Sequence, residues 1–284
     1  MSIISKLKKA KLLNVDGIWY SNNMEQVSYP TEGNSECFQI EDESFWFDHR
    51  NQVIELLFNK YVKTQDVIID VGGGNGYVSY NLQNCGYHNI VLVEPGKVGC
   101  QNAKDRGLDL VVNATLEQVD FLKDEVDCAG VFDVVEHIEM DVEFLRKLNW
   151  ILAPEGVLFI TVPAFNLLWS NEDVKAGHYR RYTLKSITKA LHEAGFKINY
   201  KSYFFSFLFA PILLKRVLGG KVKNNNVASN LSREAKSELT DHITPTGLFG
   251  CILRIFCAIE RYFIKRKISM PIGSSIIIVA IKNG

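Results

Sequence analysis

The sequence predicts an α/β fold, a mostly parallel sheet with helices packed against its faces. From Val67 onward, short apolar runs alternate with amphipathic stretches along the 284-residue chain. Parallel strands joined by right-handed helical crossovers give that alternation. The run Val67-Ile68-Ile69 leads directly into Asp70-Val71-Gly72-Gly73-Gly74-Asn75-Gly76, a strand followed by a glycine-rich turn. Later apolar runs end in Glu94, in Asn113-Ala114-Thr115 and in Glu136-His137. Polar residues at such positions mark the edge where open parallel sheets bind ligands.

The elements follow in order. Residues 1–43 contain Pro30, Gly33 and the acidic Glu41-Asp42-Glu43, are mixed in character, and form an N-terminal extension. Ser44 is placed to cap a helix that runs from Phe45-Trp46-Phe47 into Val53, Leu56 and Leu57. Strands one to four are expected at Val67–Ile69, Ile90–Val93, Leu108–Val112 and Val131–Val135. Asp141 is placed to cap a helix with Val142, Leu145, Leu148 and Ile151 on its apolar face, and Pro154-Glu155-Gly156 to stop it. Val157–Val162 forms strand five. Thr183 caps the next helix, whose apolar face is Leu184, Ile187, Leu191 and Ala194, and Gly195 ends it.

Phe196–Phe205 and Ser275–Ala280 are strands six and seven. About seventy residues separate them, too many for a structureless loop inside a compact domain. Residues 205–272 therefore read as a helical insertion that serves as a lid, a substrate contact or an oligomer contact. Leu248, Ile252, Ile255, Phe256, Ile259 and Phe263 recur there at helical spacing, while the asparagine-rich Lys221–Ser237 reads as a mobile connection. The core then spans residues 44–204, and residues 273–284 add its final strand.

Composition narrows the function classes. With 47% hydrophobic residues the chain can bury a sizeable core, and a formal net charge of +0 gives no field to draw in nucleic acid. The six cysteines form no C-x-x-C pair, which fits a reducing cytoplasm. The start, Met1-Ser-Ile-Ile-Ser-Lys, has too short an apolar part for a signal peptide. Tyr203–Leu214, broken by Ser206 and Pro211, is shorter than the roughly 20 residues a membrane span needs. A cytoplasmic location is expected, with peripheral membrane contact left open.

The glycine loop narrows the ligand. A dinucleotide fingerprint needs glycines at its first, third and sixth positions, but the sixth position is Tyr77 counted from Gly72 and Ser79 counted from Gly74. A P-loop fails as well, because no Gly-Lys-Ser/Thr follows. A glycine loop that reserves no place for pyrophosphate, with Asp70 on the strand before it, suits a ligand carrying an ammonium group. That combination points to S-adenosylmethionine. Glu94 lies about twenty residues on, where nucleotide-binding α/β folds place the carboxylate that accepts from ribose hydroxyls.

These residues resemble the class I S-adenosylmethionine-dependent methyltransferases, over roughly residues 45–204 and again at the last strand. Asp70–Gly76 is similar to the family's first motif, with Gly73 where a small residue or cysteine is usual. Phe132-Asp133-Val134-Val135-Glu136-His137-Ile138 and Gly177-His178-Tyr179-Arg180-Arg181-Tyr182-Thr183 resemble segments of its small-molecule branch, which includes quinone-biosynthesis and glycan-cluster enzymes. The resemblance implies a Rossmann-like, seven-stranded, mostly parallel sheet with an antiparallel last strand. It implies that Gly72, Gly74 and Gly76 pass under S-adenosylmethionine, that Asp70 supports its amino group, Glu94 its ribose and Asn113-Ala114 its adenine. Asp133 falls beside the cofactor. Arg50 is expected to meet its carboxylate and Trp46 to cover its methionine portion.

The chemistry expected is methyl transfer to oxygen, nitrogen or carbon of a small or lipid-linked polar metabolite. His137 is the candidate base, with Glu136 and His178 beside it, and a purely structural role for His137 is equally open. Arg180, Arg181 and Tyr182 suit a substrate carboxylate or phosphate, or else fix a loop through ion pairs. Glu136, His137, His178 and Asp173 are metal-type donors with no short-range ligand spacing between them, so no metal is expected. Three further readings stay open: a homodimer, a non-methylating reaction such as cyclisation of S-adenosylmethionine, and a non-catalytic partner subunit that binds it.

Overall fold

A computed structural model describes residues 12–21, 31–119, 121–219 and 247–283. Its strands are β1 (Leu13–Val15), β2 (Ile18–Tyr20), β3 (Ile68–Val71), β4 (Ile90–Val93), β5 (Val111–Asn113), β6 (Val126–Phe132), β7 (Leu152–Pro163), β8 (Phe196–Phe204) and β9 (Ser275–Lys282). Its helices are α1 (Thr31–Ile40), α2 (Phe45–Tyr61), α3 (Tyr77–Asn84), α4 (Lys97–Asp105), α5 (Asp141–Ile151), α6 (Asn171–Ala176), α7 (Leu184–Glu193), α8 (Ser206–Gly219) and α9 (Gly247–Lys265). The connection expected at Lys221–Ser237 lies outside the described residues.

One sheet runs in the order β1-β2-β5-β4-β3-β6-β7-β9-β8. Strands β2 to β7 pair in parallel, while β9 runs antiparallel to both β7 and β8. The sheet has nine strands where seven were expected. The two extra ones, β1 and β2, come from the N-terminal extension and pair with each other across Asp16-Gly17. Three residues each are too few to show alternation, and Ile18 and Trp19 are buried only because β2 joins β5.

Helices cover both faces. Val53, Ile54, Leu57 and Phe58 of α2 pack on one side with Phe159, Phe204, Ile277 and Val279. Leu145 and Leu148 of α5 and Ile187 and Leu191 of α7 pack on the other, with Ile160, Val162, Ile276 and Ile278. Burial on both faces explains why these strands are continuous apolar runs rather than alternating ones.

Capping follows local chemistry. Ser44 Oγ accepts from the Trp46 and Phe47 amides, and Thr183 exchanges capping bonds with Ser186. Asp141 is the first residue of α5 rather than its cap; its Oδ1 accepts from the Val142 amide, and Met140 holds the cap position. Pro154-Glu155-Gly156 lies within β7, where Glu155 at φ 61 bends the strand and its register with β6 shifts. Strand four also ends earlier than expected. The chain leaves β6 at Phe132, Asp133 takes φ 58, and Val135-Glu136-His137 forms a single 3-10 turn.

Within the insertion, α9 packs along α2. Leu253, Cys257, Glu260 and Ile264 form the buried side of α9. Buried Glu260 accepts from the Phe205 and Ser206 amides at 2.8 Å each and sits 2.8 Å from His49 Nε2, which ties β8, α8 and α9 to α2. The apolar stripe seen in the sequence faces the other way: Ile252, Ile255, Phe256 and Ile259 are 42%, 57%, 48% and 46% exposed. Among the described residues no helix is long and apolar enough to cross a membrane.

The strand order reverses direction at β3, which lies between β4 and β6. The crevice at the carboxyl ends of these strands is where open α/β sheets hold ligands.

Candidate active site

A cavity of about 410 Å³ opens beside the loop that leaves β3, and Gly72, Gly73 and Gly74 line it. Gly74 has φ 54, and a Cβ there would meet nothing nearer than Asn34 Oδ1 at 3.8 Å. Its bare backbone faces open space, as close approach of a ligand requires. Gly76 does something else. A Cβ on it would meet Leu108 Cδ1 at 2.6 Å and Ala103 Cβ at 2.8 Å, and it does not line the cavity. It seats α3 against α4.

Asp70 and Glu94 lie in the same cavity. Asp70 Oδ2 accepts from Ser79 Oγ at 2.7 Å, whereas buried Oδ1 has no partner among the described residues. Burial pushes the Asp70 carboxyl up to about 6. Glu94 accepts from the Gly74 amide at 2.9 Å and the Gly96 amide at 2.6 Å, one on each oxygen. Burial raises it to about 7 against those two bonds. The expected pair Asn113-Ala114 divides. Ala114 lines a second cavity of about 570 Å³, beside Leu116, Ile138 and Phe144. Asn113 does not line it; its Nδ2 donates to the Glu94 and Pro95 carbonyls and holds the two strand ends together.

The first turns of α2 form a wall. Trp46 stacks on Phe205 with ring centroids 5.4 Å apart, and the Arg50 guanidinium lies 4.9 Å from the Trp46 ring. Arg50 Nη1 donates to Asp133 Oδ2 at 2.6 Å, so two residues expected to touch the cofactor separately are held to each other at the cavity edge. Asn34, Cys37 and Glu41 complete the wall and were missed in the sequence. Asn75, within the loop, donates to the Asn34 carbonyl and to Glu41, while Arg106 pairs with Glu41 at 2.8 Å. The acidic run Glu41-Asp42-Glu43 was the only signal, and it carries no spacing to the loop.

Glu136, His137 and His178 converge on the cavity from two segments distant in sequence. The 3-10 turn presents Glu136 and His137, and His178 follows the left-handed Gly177 that ends α6. The two imidazole centroids are 4.6 Å apart with rings nearly perpendicular. One donor atom from each of the three residues lies within 4.8 Å of the others. Burial, reinforced by the Asp133 charge, holds the Glu136 carboxyl well above its usual range, and its Oε2 has no partner among the described residues. Burial and neighbouring His178 push His137 down to about 4. The strand-end pattern and the family resemblance placed all three on one ligand edge, although no short-range spacing links His178 to the other two.

The arginines are committed elsewhere. Arg181 forms a two-point pair with Asp173, Nε to Oδ1 at 2.7 Å and Nη2 to Oδ2 at 3.0 Å. Asp173 also accepts from the Ser170 amide and faces His178 Nδ1 at 2.8 Å. Against the cost of burial, the hydrogen bonds from His178 and Arg181 hold its carboxyl well below the usual range. Arg180 pairs with Asp141 at 3.1 Å and donates to the Glu139 carbonyl, and Tyr182 donates to Asp141. None of Arg180, Arg181 and Tyr182, the three expected to meet substrate, is among the described residues that line the cavity.

This geometry suits S-adenosylmethionine: an orphaned carboxylate oxygen for its ammonium group, Glu94 for its ribose and an apolar slot at Ala114 for its base. Residues 44–201 match the family model described as "Methyltransferase domain". The "Probable S-adenosylmethionine-dependent methyltransferase" of Mycobacterium tuberculosis is 24% identical over 160 residues, 55% of this chain and 57% of that protein. The "Ubiquinone biosynthesis O-methyltransferase" of Actinobacillus pleuropneumoniae is 27% identical over 161 residues, 51% of this chain and 62% of that protein. The chain thus spans less than two thirds of the length of these curated relatives. Among solved structures, phosphoethanolamine N-methyltransferase 2 of Haemonchus contortus, in complex with S-adenosyl-L-methionine, superposes with TM-score 0.56 at 15% identity, covering 92% of this chain and 59% of that one. The [4+2]-cyclase SpnF superposes with TM-score 0.53 at 14% identity over 99% and 93%. These likenesses show the fold alone. With the family model matched over more than half its length, the chain belongs to the class I methyltransferase-domain family, whose cofactor is S-adenosylmethionine.

Proposed function

We propose that the protein methylates a hydroxyl oxygen of a small or lipid-linked polar metabolite. One observation carries this reading: Asp70 Oδ1, which has no partner among the described residues, and the Glu136-His137-His178 cluster share one cavity. S-adenosylmethionine supplies, when bound, a methyl group activated on a sulfonium. Asp70 accepts from its ammonium group, and Glu94 accepts from its ribose hydroxyls while still holding the loop amides. Ala114, Ile138 and Phe144 take the adenine. Trp46 covers the methionine portion, and Arg50 shares its guanidinium between Asp133 and the cofactor carboxylate. The cluster activates the acceptor oxygen, and the walls hold it in line with the methyl and the sulfur; such alignment contributes much of the rate effect in displacements of this kind.

A lipid-linked acceptor is favoured by the exposed apolar side of α9 and by the basic residues around it, Arg254, Lys265, Arg266 and Lys267. Incubation with labelled S-adenosylmethionine and a panel of hydroxylated small molecules and lipids tests the reaction. Formation of S-adenosylhomocysteine together with a methylated product is expected. Methylthioadenosine would replace methyl transfer with cyclisation or alkyl transfer, and cofactor binding without either product would make the chain a binding subunit.

A further inference from the structure

We propose that Glu136, His137 and His178 hold a divalent transition-metal ion, which binds and ionises the acceptor hydroxyl. The ion's role rests on the methyl-transfer reading; its presence does not.

The donors are of the right kind and are built for it. Two imidazoles and one carboxylate, facing a cavity and leaving further positions open, suit Zn²⁺, Mn²⁺ or Fe²⁺ better than the all-oxygen preference of Ca²⁺ or Mg²⁺. Their donor atoms lie within 4.8 Å of one another. Ligands on a common ion at about 2.1 Å stand roughly 3 Å apart, so small side-chain rotations close the site. Glu136 is 1% exposed, and its Oε2 has no partner among the described residues although it faces the cavity. A buried carboxylate oxygen left unmatched is costly, and a cation is the partner that its position calls for.

The surroundings of His178 supply the second argument. Its Nδ1 lies 2.8 Å from Asp173 Oδ1, which fixes the tautomer with Nδ1–H donating and leaves Nε2 as the lone-pair donor. Metal-binding histidines are oriented in this way by a carboxylate on the other ring nitrogen. Asp173 is itself fixed by Arg181 and by the Ser170 amide. The chain Arg181–Asp173–His178 therefore aims one imidazole at Glu136 and His137 and gives Arg181 a positioning role. On the ion, the acceptor hydroxyl loses its proton to solvent. Its oxygen forms the new bond to the methyl carbon as the carbon–sulfur bond breaks, and the electron pair returns to sulfur, leaving a neutral thioether.

The test uses the full chain, stripped with chelator and titrated with Co²⁺, Zn²⁺ and Mn²⁺. Expected are one ion per chain, visible Co²⁺ absorption bands that Zn²⁺ displaces, and a loss of 10- to 100-fold or more in affinity for Glu136→Gln and His178→Ala. Asp173→Asn, a positioning change, should weaken binding less than His178→Ala and alter the Co²⁺ spectrum. Absence of saturable binding and of Co²⁺ bands in stripped wild-type protein that still binds S-adenosylmethionine would overturn the proposal and leave the methyltransferase reading standing. Metal binding that persists unchanged in Glu136→Gln and His178→Ala would overturn it as well. Loss of S-adenosylmethionine binding with metal bound would instead count against the methyl-transfer reading alone.

Discussion

Glu94 accepts the Gly74 amide on one oxygen and the Gly96 amide on the other, so the residue we propose for the cofactor ribose also shapes the glycine loop. Replacing it with Ala removes a charge-assisted hydrogen bond of about 1.5–3 kcal/mol, so affinity for S-adenosylmethionine should fall roughly 10- to 150-fold. Gly74→Val should weaken binding too, because a branched side chain at φ 54 enters the ligand space. Calorimetry showing unchanged affinity in both variants would remove the cofactor assignment. Glu94 and its neighbour Asp70 also set a pH dependence, since burial raises both carboxyls, to about 7 and about 6. A raised carboxyl favours the folded state while protonated and loses that contribution as pH climbs through its folded pKa. Without cofactor, thermal stability should therefore fall between pH 4.5 and about 7, and Glu94→Gln should flatten that fall. Cofactor affinity should run the opposite way, rising over the same window as the carboxylates ionise and accept from ammonium and ribose. A pH-independent affinity would contradict those contacts.

At the scale of elements, the core strands were legible because burial on both faces makes them unbroken apolar runs, as in Ile276–Ala280. The loop and Glu94 were legible for a related reason: backbone geometry restricts residue choice there. β1 and β2 were not, because three residues carry no period. That His137 and His178 share one ligand edge was legible, but their direct contact, with centroids 4.6 Å apart, was not, because the tertiary turn after α6 makes it. Arg180 and Arg181 show the same limit, since sequence offers two adjacent guanidinium groups and cannot say which is buried. In the fold Arg181 holds the fully buried Asp173, with side-chain exposures of 12% and 0%, whereas Arg180 is 31% exposed. Breaking a buried pair typically costs about 3–5 kcal/mol. Exposed pairs contribute about 0–1 kcal/mol. Arg181→Ala should therefore lower the melting temperature sharply and Arg180→Ala barely change it, with cofactor affinity retained in whatever protein stays folded. Equal small effects on stability with a raised KM for both would restore the substrate-binding role.

For the whole molecule, the feature out of keeping with a core-forming helix is the orientation of α9. It buries the narrow strip of Leu253, Cys257, Glu260 and Ile264 against α2 and turns Ile252, Ile255, Phe256 and Ile259 outward. Its single acid, Glu260, is buried, so its exposed charges, Arg254 and Lys265, are positive, and Arg266 and Lys267 follow directly. An apolar side flanked by Arg254, Lys265, Arg266 and Lys267 suits the interface of an anionic lipid surface, where buried apolar area and Coulomb attraction add. No described residue of α8 or α9 lines the 410 Å³ cavity, which leaves this side available for that contact. The wild-type chain should co-sediment with vesicles containing anionic lipid, less so as salt is raised. Ile252→Glu combined with Ile255→Glu should abolish sedimentation while moving stability by only about 0.5 kcal/mol per site, as for other surface changes. Ile264→Ala, at a fully buried site, should cost about 2–5 kcal/mol and serves as the contrasting core substitution. A wild-type chain that stays in the supernatant would defeat the lipid contact. If that chain sediments as a dimer in the ultracentrifuge and the double variant as a monomer, a second copy covers the stripe instead.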